Sequence, residues 1–499
     1  MRNQRKIGVI LSYVSQFVHI ISGILYTPIM LRLLGQNEYG LYQLVYSVVS
    51  YLSLLSLGFS SSYMKFYAQI KKEQNEERLE SFNGMFLSIF LVIGIICLIC
   101  GNVMVINIKN IFGNGLSSQE YETAKFLMFL MVINLAMTFP CSVFDSIMAA
   151  NEQFFFQKLI VVLQNLLNPF ITLPLLILGY GSVAMVMVTT GLTVAKMMVS
   201  IWYCVKKLHA RFAFRNFDFR LLKTMWLFTS LIFINMIVDQ INWSVDKFLL
   251  GRLTGTAIVA VYGVGAQINT LYLELSISVS NVFIPRVNHI VVNSNSDREL
   301  TLLFTKVGRI QFMILSFILS GFILFGKFFI HLWAGEGYEQ SYYVSIALML
   351  PVTVPLIQNI GIEIQRAKNM HKARSIVYFF IAIGNIFLSI PFILKLGALG
   401  AALGTSISLI IGNVIFMNWY YDAKIHLDII YFWKQIIRII PSFMIPIIIS
   451  IVLSYMFPIH NLRLWIIQGV IYVILFVSFL WIWGMNEDER NIIRNLLKK

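Results

Sequence analysis

The sequence predicts an all-α integral membrane protein with about fourteen transmembrane helices, and three observations support this. Apolar stretches recur from Ile7 to Trp483, each close to the roughly 20 residues of helix that cross the hydrocarbon core of a bilayer. The chain is 58% hydrophobic and 12% charged. No predicted loop exceeds about 20 residues, so no sizeable domain is expected outside the membrane.

The helices follow from the hydropathy pattern in chain order. The first apolar run follows three basic residues, like a signal peptide, but it is too long and no cleavage site follows, so we retain it as a membrane helix. The predicted helices span 7–30, 41–69, 82–106, 121–146, 159–178, 182–204, 223–250, 255–285, 306–330, 342–363, 375–394, 398–421, 436–457 and 462–483.

The net charge of +15 is explained by topology. About 29 of the 38 lysines and arginines fall at the N-terminus, in the loops after even-numbered helices and in the C-terminal tail, as the positive-inside rule requires of cytoplasmic segments. Both termini are therefore predicted to be cytoplasmic. No nucleic-acid partner is needed to account for the basic clusters.

An internal repeat divides the chain. A shift of 220 residues aligns Arg32, Gly35 and Tyr42 with Arg252, Gly255 and Tyr262, and a shift of 217 or 218 aligns Asn168, Pro174 and Gly179 with Asn385, Pro391 and Gly397. Six helices followed by six of the same orientation form a parallel repeat with a cleft between two lobes. The predicted parts are an N-terminal lobe (1–204), a cytoplasmic basic linker (205–222), a C-terminal lobe (223–421), and an accessory pair, helices 13 and 14, with a cytoplasmic tail (422–499).

Polar residues share one face in several predicted helices. Helix 7 carries Asn235, Asp239, Asn242 and Asp246 at spacings of four, three and four. A carboxylate at bilayer depth costs at least about 2.5 to 3.5 kcal/mol and so requires a partner, a proton or water. We therefore predict a substrate-translocation and coupling site, while a buried pair that only locks two helices together remains the alternative. The predicted site consists of His19, Asp239, Asn242, Asp246, Lys247 and Glu274.

Three basic residues form a second predicted set within or beside the helices. Lys196 lies deep in helix 6, which favours a position facing a cavity. Lys65 and Arg286 lie near the cytoplasmic ends of helices 2 and 8, where extension of a long side chain to the interface is the alternative explanation. Together the three would make an inner vestibule positive.

Four stretches of the sequence resemble a known family. They are LYTPIMLRLLGQNEYGLYQLVYSVVSYLSLLSLGFSSSYMKFYAQ, VDKFLLGRLTGTAIVAVYGVGAQIN, FIPRV and LGALGAALGTSIS. They resemble the polysaccharide transporter family, the Wzx-type flippases of lipid-linked oligosaccharides, in the multidrug/oligosaccharidyl-lipid/polysaccharide (MOP) superfamily. The family's Asp followed by a basic residue in helix 7 matches Asp246 and Lys247, and its basic residues in helices 2 and 8 match Lys65 and Arg286.

The resemblance implies that an undecaprenyl-pyrophosphate-linked oligosaccharide moves from the cytoplasmic to the outer leaflet of a bacterial inner membrane, by alternating access coupled to H+ or Na+. Membrane lipid, a polysaccharide polymerase and glycosyltransferases are the implied partners. The mid-cleft of this sequence is acidic where such flippases often have a cationic cavity. We therefore expect the pyrophosphate to bind nearer the cytoplasmic side, at Lys65, Lys196 and Arg286.

Two other classes of function remain as alternatives. A cation-coupled drug or metabolite antiporter of the same superfamily would share helices 1 to 12. A membrane-embedded enzyme of glycosyl polymers would need acid and base groups on a large external loop, which the sequence lacks. No G-x-x-x-x-G-K-[ST] loop is present, so we expect neither ATP hydrolysis nor a cofactor or metal.

Overall fold

The computed structural model describes residues 2–113, 115–294, 296–368, 370 and 372–497. These residues form helices and connecting turns, with no strand among them. The chain divides into two compact units, Met1–Ala260 and Val261–Lys499. Asn369, Lys498 and Lys499, the last two in the predicted C-terminal segment, lie outside the described residues. The predicted four-part division stays a prediction.

In the part of the first unit that the structure describes, there are eight helices and the first turn of a ninth. A 3₁₀ segment, Ser50–Ser56, separates the first two. The helices are α1 (Arg2–Val49), α2 (Phe59–Lys72), α3 (Glu76–Ile106), α4 (Ile108–Phe112), α5 (Ser118–Ala150), α6 (Phe154–Ile177), α7 (Gly181–Lys206), α8 (Phe219–Leu253) and α9 (Thr256–Asn281), which contains the boundary between the units.

The second unit contains the rest of α9 and eleven further helices among its described residues. Two π-helical turns, Ile410–Phe416 and Leu480–Gly484, follow helices in this unit. The helices are α10 (Ile284–Asn293), α11 (Asp297–Ala334), α12 (Gln340–Ile357), α13 (Ile360–Ala367), α14 (Lys372–Leu396), α15 (Ala398–Leu409), α16 (Met417–Ala423), α17 (Ile429–Ile437), α18 (Ile440–Met456), α19 (Leu462–Phe479) and α20 (Glu487–Leu497).

The predicted all-α membrane protein is confirmed. Within the described ranges, twelve helical segments are long and apolar enough to cross a membrane. The predicted count of fourteen is not confirmed. One segment of 43 residues, Val14–Ser56, covers predicted helix 1 from residue 14 onward and the beginning of predicted helix 2, and α8 is not among the twelve. Length and hydropathy therefore define the architecture but not the number of crossings.

The first two predicted helices differ most from the structure. The polar stretch 31–40, predicted as a loop, is helical apart from Gly35, whose φ of 75° and ψ of 170° break the helix. Only glycine adopts that conformation without strain. The polar side chains of this stretch find tertiary partners: Glu38 accepts the Ser182 N–H at 2.6 Å, and Gln36 donates to the Ala257 carbonyl at 3.4 Å. These contacts allow a polar stretch to remain helical.

In the first unit, α1 packs on α6, and α5 packs between α3 and α7. Aromatic residues join α2 to α3, where Tyr63 stacks on Phe82 and meets Phe86 edge-on. The Tyr63 hydroxyl donates to Asn83 Oδ1 at 2.6 Å, so a fully buried tyrosine has its hydroxyl paired. α2 and α3 are therefore held as an antiparallel pair around a buried aromatic core.

In the second unit, α12 packs against both α11 and α15, and α14 packs on α15. The C-terminal helices α18 and α19 lie against α11 around a buried core of Met313, Phe325, Ile439, Tyr472, Phe476 and Leu480. Predicted helix 13 (436–457) corresponds to α18, which begins at Ile440 with Pro441 in its first turn, and the separate helix α17 precedes it and ends at Ile437. Proline is tolerated there since it removes only an N–H that the helix leaves unpaired.

An asparagine motif occurs in both units. Asn168 donates to Thr189 Oγ1 at 3.1 Å and accepts from Thr172 Oγ1 at 3.3 Å. Asn385, its predicted repeat equivalent, donates to Thr405 Oγ1 at 3.3 Å and accepts from Ser389 Oγ at 3.1 Å. Each asparagine thus joins a hydroxyl four residues later to a threonine of the next helix. The repeat itself stays a prediction, and this motif agrees with its alignment.

Candidate functional site

A polar cavity of about 300 Å³ lies within the first unit, where α1, α5, α7 and α8 meet. Its polar lining comes from residues on each of these helices and on the 3₁₀ segment after α1. They are Tyr42, Tyr46, Ser50, Ser53, Asn134, Thr189 and Gln240. Apolar side chains, among them Met131 and Val186, complete the wall. Polar side chains that converge on one cavity can fix the orientation of a bound ligand.

Gln240 is the most connected polar residue of this cavity. Its Nε2 atom donates to Ser50 Oγ at 2.5 Å and to Ser244 Oγ at 2.7 Å, and the two hydroxyls lie 3.2 Å apart. The network joins α8 to the 3₁₀ segment, so rotation of α8 relative to this segment would break these hydrogen bonds. Sequence reasoning selected the neighbouring Asp239 and missed Gln240.

A second row of polar contacts joins α5 to α7. Asn134 donates to Thr193 Oγ1 at 3.0 Å, and further along the same helices Lys196 Nζ lies 2.8 Å from Asp145 Oδ2. The side chains of Lys196 and Asp145 are 20% and 24% exposed, so the ion pair is partly buried but still accessible to solvent. Within the described residues, no group of three or more His, Cys, Asp or Glu side chains is placed to hold a metal ion.

Seven of the nine predicted site residues belong to the first unit. Asp239 and His19 are exposed, Asn242 is half-buried, and Asp246 is 1% exposed. Lys247 donates to Gln43 Oε1 at 2.9 Å, and Gln43 donates in turn to the Tyr39 hydroxyl at 2.8 Å. The single helical face predicted for α8 therefore includes both an accessible carboxylate and a core one.

The basic residues of the predicted set differ in their surroundings. Lys65 is exposed, with its Nζ atom 5.6 Å from the centre of the Phe66 ring. Lys196 forms the ion pair with Asp145. Arg286 and Glu274 belong to the second unit, where Arg286 is exposed in the first turn of α10 and Glu274 is half-buried in α9.

The second unit contains a buried ion pair that sequence reasoning missed. Arg309 of α11 and Glu489 of α20 are 7% and 4% exposed and bond through two parallel N–H···O contacts of 2.7 and 2.9 Å. The Arg309 guanidinium also donates to the carbonyls of Gln435 and Gly484 at 2.8 and 2.9 Å. In the sequence, Glu489 is one of several charged residues of the tail, and only the fold brings it to Arg309.

Beside this ion pair lies an apolar cavity of about 340 Å³. Its walls come from α11, α19 and the turn before α20, and they are Ile310, Met313, Ile314, Phe317, Phe476, Val477, Leu480, Met485 and Glu489. Glu489 is the only charged residue of the lining, and its carboxylate is occupied by Arg309. The cavity is therefore suited to a hydrocarbon chain.

The chain matches a known protein family and is similar to a curated protein. Residues 6–291 match the family model described as Polysaccharide biosynthesis protein. Among curated proteins, the chain is 20% identical over 404 residues to the "Putative O-antigen transporter" of Shigella flexneri, covering 78% of this chain and 91% of that protein.

Among solved structures, the chain is similar to the lipid II flippase MurJ in an inward closed conformation. The TM-score is 0.76 at 18% identity, over 97% of this chain and 100% of that one. It is also similar to an inward-facing multidrug-resistance MATE transporter of the MOP superfamily, with a TM-score of 0.67 at 15% identity over 84% of this chain and 96% of that one. The chain therefore has a MurJ/MATE-like fold.

Proposed function

The chain belongs to the polysaccharide biosynthesis protein family, and from this premise we propose that it is a flippase of undecaprenyl-pyrophosphate-linked oligosaccharide. It moves the lipid-linked sugar from the cytoplasmic to the outer leaflet for assembly of an exported polysaccharide such as O-antigen, capsule or exopolysaccharide. The observation that carries the proposal is the family match over residues 6–291. The similarity of 97% of the chain to a lipid II flippase supports it.

The remaining expectations follow from this function. We propose that the protein lies in the bacterial inner membrane with both termini cytoplasmic and acts as a transporter rather than an enzyme. It exchanges substrate with glycosyltransferases on one side and a polysaccharide polymerase on the other. H+ or Na+ supplies the coupling.

The coupling site is assigned to His19, Asp239, Asn242, Asp246, Lys247 and Glu274. Asp239 is the residue of this set best placed to take up a cation, because its carboxylate is accessible and lies mid-helix in α8. Asp246, on the same face, is buried and is assigned a structural part in the site. Gln240 and the polar cavity beside it add neutral ligands for the sugar moiety.

The phosphate ligands are assigned to Lys65, Lys196 and Arg286. Arg286 can grip a phosphate through two parallel hydrogen bonds, while the lysines act as point charges. Lys65 and Arg286 are both exposed. Lys196 forms an ion pair with Asp145, so a phosphate oxygen must displace the Asp145 carboxylate to bind this lysine.

The prenyl chain is assigned to the apolar cavity between α11 and α19. Its lining is almost free of polar atoms, and the similarity to the MATE transporter extends over less of this chain than the similarity to the flippase. A photoreactive prenyl phosphate should therefore label Phe317 or Val477. Labelling confined to α3–α7 would contradict this assignment.

The direct test is transport by the purified chain in proteoliposomes. A fluorescent prenyl-pyrophosphate oligosaccharide placed in one leaflet should become accessible in the other faster than in protein-free vesicles, and faster with a cation gradient. The antiporter alternative predicts instead gradient-driven movement of a cationic dye, such as ethidium, without lipid flipping. Dye movement alone would replace the flippase proposal with the antiporter.

A further inference from the structure

The connector between α7 and α8, residues 207–218, is not helical, yet it is fixed to the protein by its backbone. The Ala213 N–H donates to the Glu80 carbonyl at 2.9 Å, and Ser81 Oγ donates to the carbonyls of Arg215 and Asn216 at 2.9 and 3.0 Å. Asn83 Nδ2 donates to the Arg211 carbonyl at 3.3 Å. The first turns of α3 thus provide the partners that a sheet or helix would otherwise supply.

The connector packs directly on the backbone of α3. A Cβ atom added at Gly84 would lie 2.1 Å from the Ala213 carbonyl oxygen, so no other residue fits this position of α3. At its end, Arg78 Nη2 lies 3.2 Å from Asp218 Oδ2, and Asp218 also caps α8 by accepting the N–H groups of Arg220 and Leu221. The path of the connector is therefore set at both its middle and its end.

With its backbone turned toward α3, the connector presents basic and aromatic side chains outward. Six basic residues between 206 and 223 are exposed, namely Lys206, Lys207, Arg211, Arg215, Arg220 and Lys223. Asp218 is the only acidic residue in that stretch of sequence. Two phenylalanines are also exposed, Phe214 by 61% and Phe219 by 72%. A soluble surface rarely combines exposed phenylalanine with this density of cations.

The neighbouring helix shows where this surface lies relative to the bilayer. The last exposed apolar residues of α7 are Met198, Val199, Trp202 and Val205, which are 42% to 58% exposed. The sequence then changes at once to Lys206 and Lys207. A tryptophan followed by lysines marks the border between hydrocarbon and headgroups. The connector therefore lies at the headgroup level, where phenylalanine can enter the hydrocarbon edge and cations can meet phosphates.

We propose that the surface formed by residues 206–223 binds an anionic bilayer surface, with Arg215 and Arg220 contacting lipid phosphates while Phe214 and Phe219 insert beside them. The partner is the lipid headgroup layer, and the proposal does not depend on what the protein transports. Arg215 pairs with Glu77 at 3.9 Å, but both side chains are about three-quarters exposed, so this weak surface ion pair can give way to a lipid phosphate.

The test is lipid binding to the full-length chain in detergent, measured by native mass spectrometry during titration with phosphatidylglycerol or phosphatidylcholine. Each cation near an anionic surface contributes about fivefold to binding, so Arg215→Gln/Arg220→Gln should weaken phosphatidylglycerol association by about 25-fold and leave phosphatidylcholine unchanged. Arg215→Lys/Arg220→Lys keeps the charge and should keep the affinity. Phe214→Ser/Phe219→Ser should weaken both lipids.

The matched control is Lys109→Gln/Lys125→Gln, which removes two exposed cations elsewhere in the first unit. It should leave phosphatidylglycerol binding unchanged. The proposal is overturned if the arginine double variant binds phosphatidylglycerol as the unmodified chain does, or if the control loses affinity equally. Displacement of the lipid by millimolar inorganic phosphate at constant ionic strength would overturn it too, because it would indicate a discrete phosphate site instead of a bilayer surface.

Discussion

Lys196 Nζ lies 2.8 Å from Asp145 Oδ2, so a lysine of α7 and an aspartate of α5 form an ion pair within two membrane-spanning helices. A charged side chain at this depth needs a partner, and each residue supplies one for the other. Each of the two side chains is less than one-quarter exposed. Under the proposed function, a substrate phosphate would have to compete with Asp145 for Lys196.

The first prediction concerns this pair. Asp145→Asn and Lys196→Gln should each lower the free energy of unfolding by about 1 to 3 kcal/mol, because each leaves a sheltered charge without its counter-charge. The double variant should recover most of the loss. Thermal unfolding of the purified variants measures the coupling, with Lys125→Gln, an exposed cation of α5, as the control. Strictly additive losses would mean that the two residues do not stabilise each other.

The second prediction concerns attachment of the C-terminal helix. Arg309→Leu should destabilise the second unit by about 3 to 5 kcal/mol, because it leaves the Glu489 carboxylate buried and unpaired. Hydrogen exchange of α20 should increase first. Arg309→Leu/Glu489→Leu should restore much of the stability, and Asp488→Asn, on the exposed face of α20, should have no effect. Unchanged exchange in Arg309→Leu would show that α20 is held by other contacts.

The third prediction separates two aspartates of α8. Asp239 is exposed and Asp246 is 1% exposed. Asp239→Asn should abolish gradient-dependent transport in proteoliposomes while leaving expression and thermal stability intact, because an accessible carboxylate can exchange a cation with water. Asp246→Asn should instead lower stability. Full gradient-driven transport by Asp239→Asn would reduce Asp239 to a structural residue.

The fourth prediction is a pH dependence of the connector between α7 and α8. The Leu221 N–H and then the Arg78 guanidinium lower the pKa of Asp218 below its ordinary value. A carboxyl whose pKa is lowered by folding stabilises the fold above its unfolded pKa of about 3.9, and that contribution is lost as the pH falls below this value. We therefore expect the connector to stay docked at neutral pH and to loosen below about pH 4.

A fluorophore at Asn216→Cys, in a chain whose four native cysteines are serines, reports this loosening. Asp218→Asn removes the titrating group, so the part of the transition due to Asp218 should disappear in that background. An identical pH profile in both proteins would assign the transition to other carboxylates, such as Glu80, which lies 3.5 Å from Arg211.

The sequence predicted the membrane class, the family and most helices, because these depend on local hydropathy and on stretches of pattern that need no tertiary information. The polar face that it predicted for α8 includes the exposed Asp239 and the buried Asp246. It misplaced the break between the first helices, because stretch 31–40 is polar yet its side chains bond to Ser182 and Ala257. Local hydropathy cannot anticipate partners that lie more than 140 residues away.

The sequence by itself therefore determined that this chain is a membrane protein made of long apolar helices. It also determined that these helices contain a few charged residues whose burial costs free energy. Only the tertiary structure decided which charges meet. Asp145 has no distinguishing feature in the sequence, yet it forms an ion pair with Lys196. Glu489 belongs to a charged tail, yet it is buried against Arg309. Helical periodicity fixes the face on which a residue lies, while the partner on that face depends on how separate helices pack.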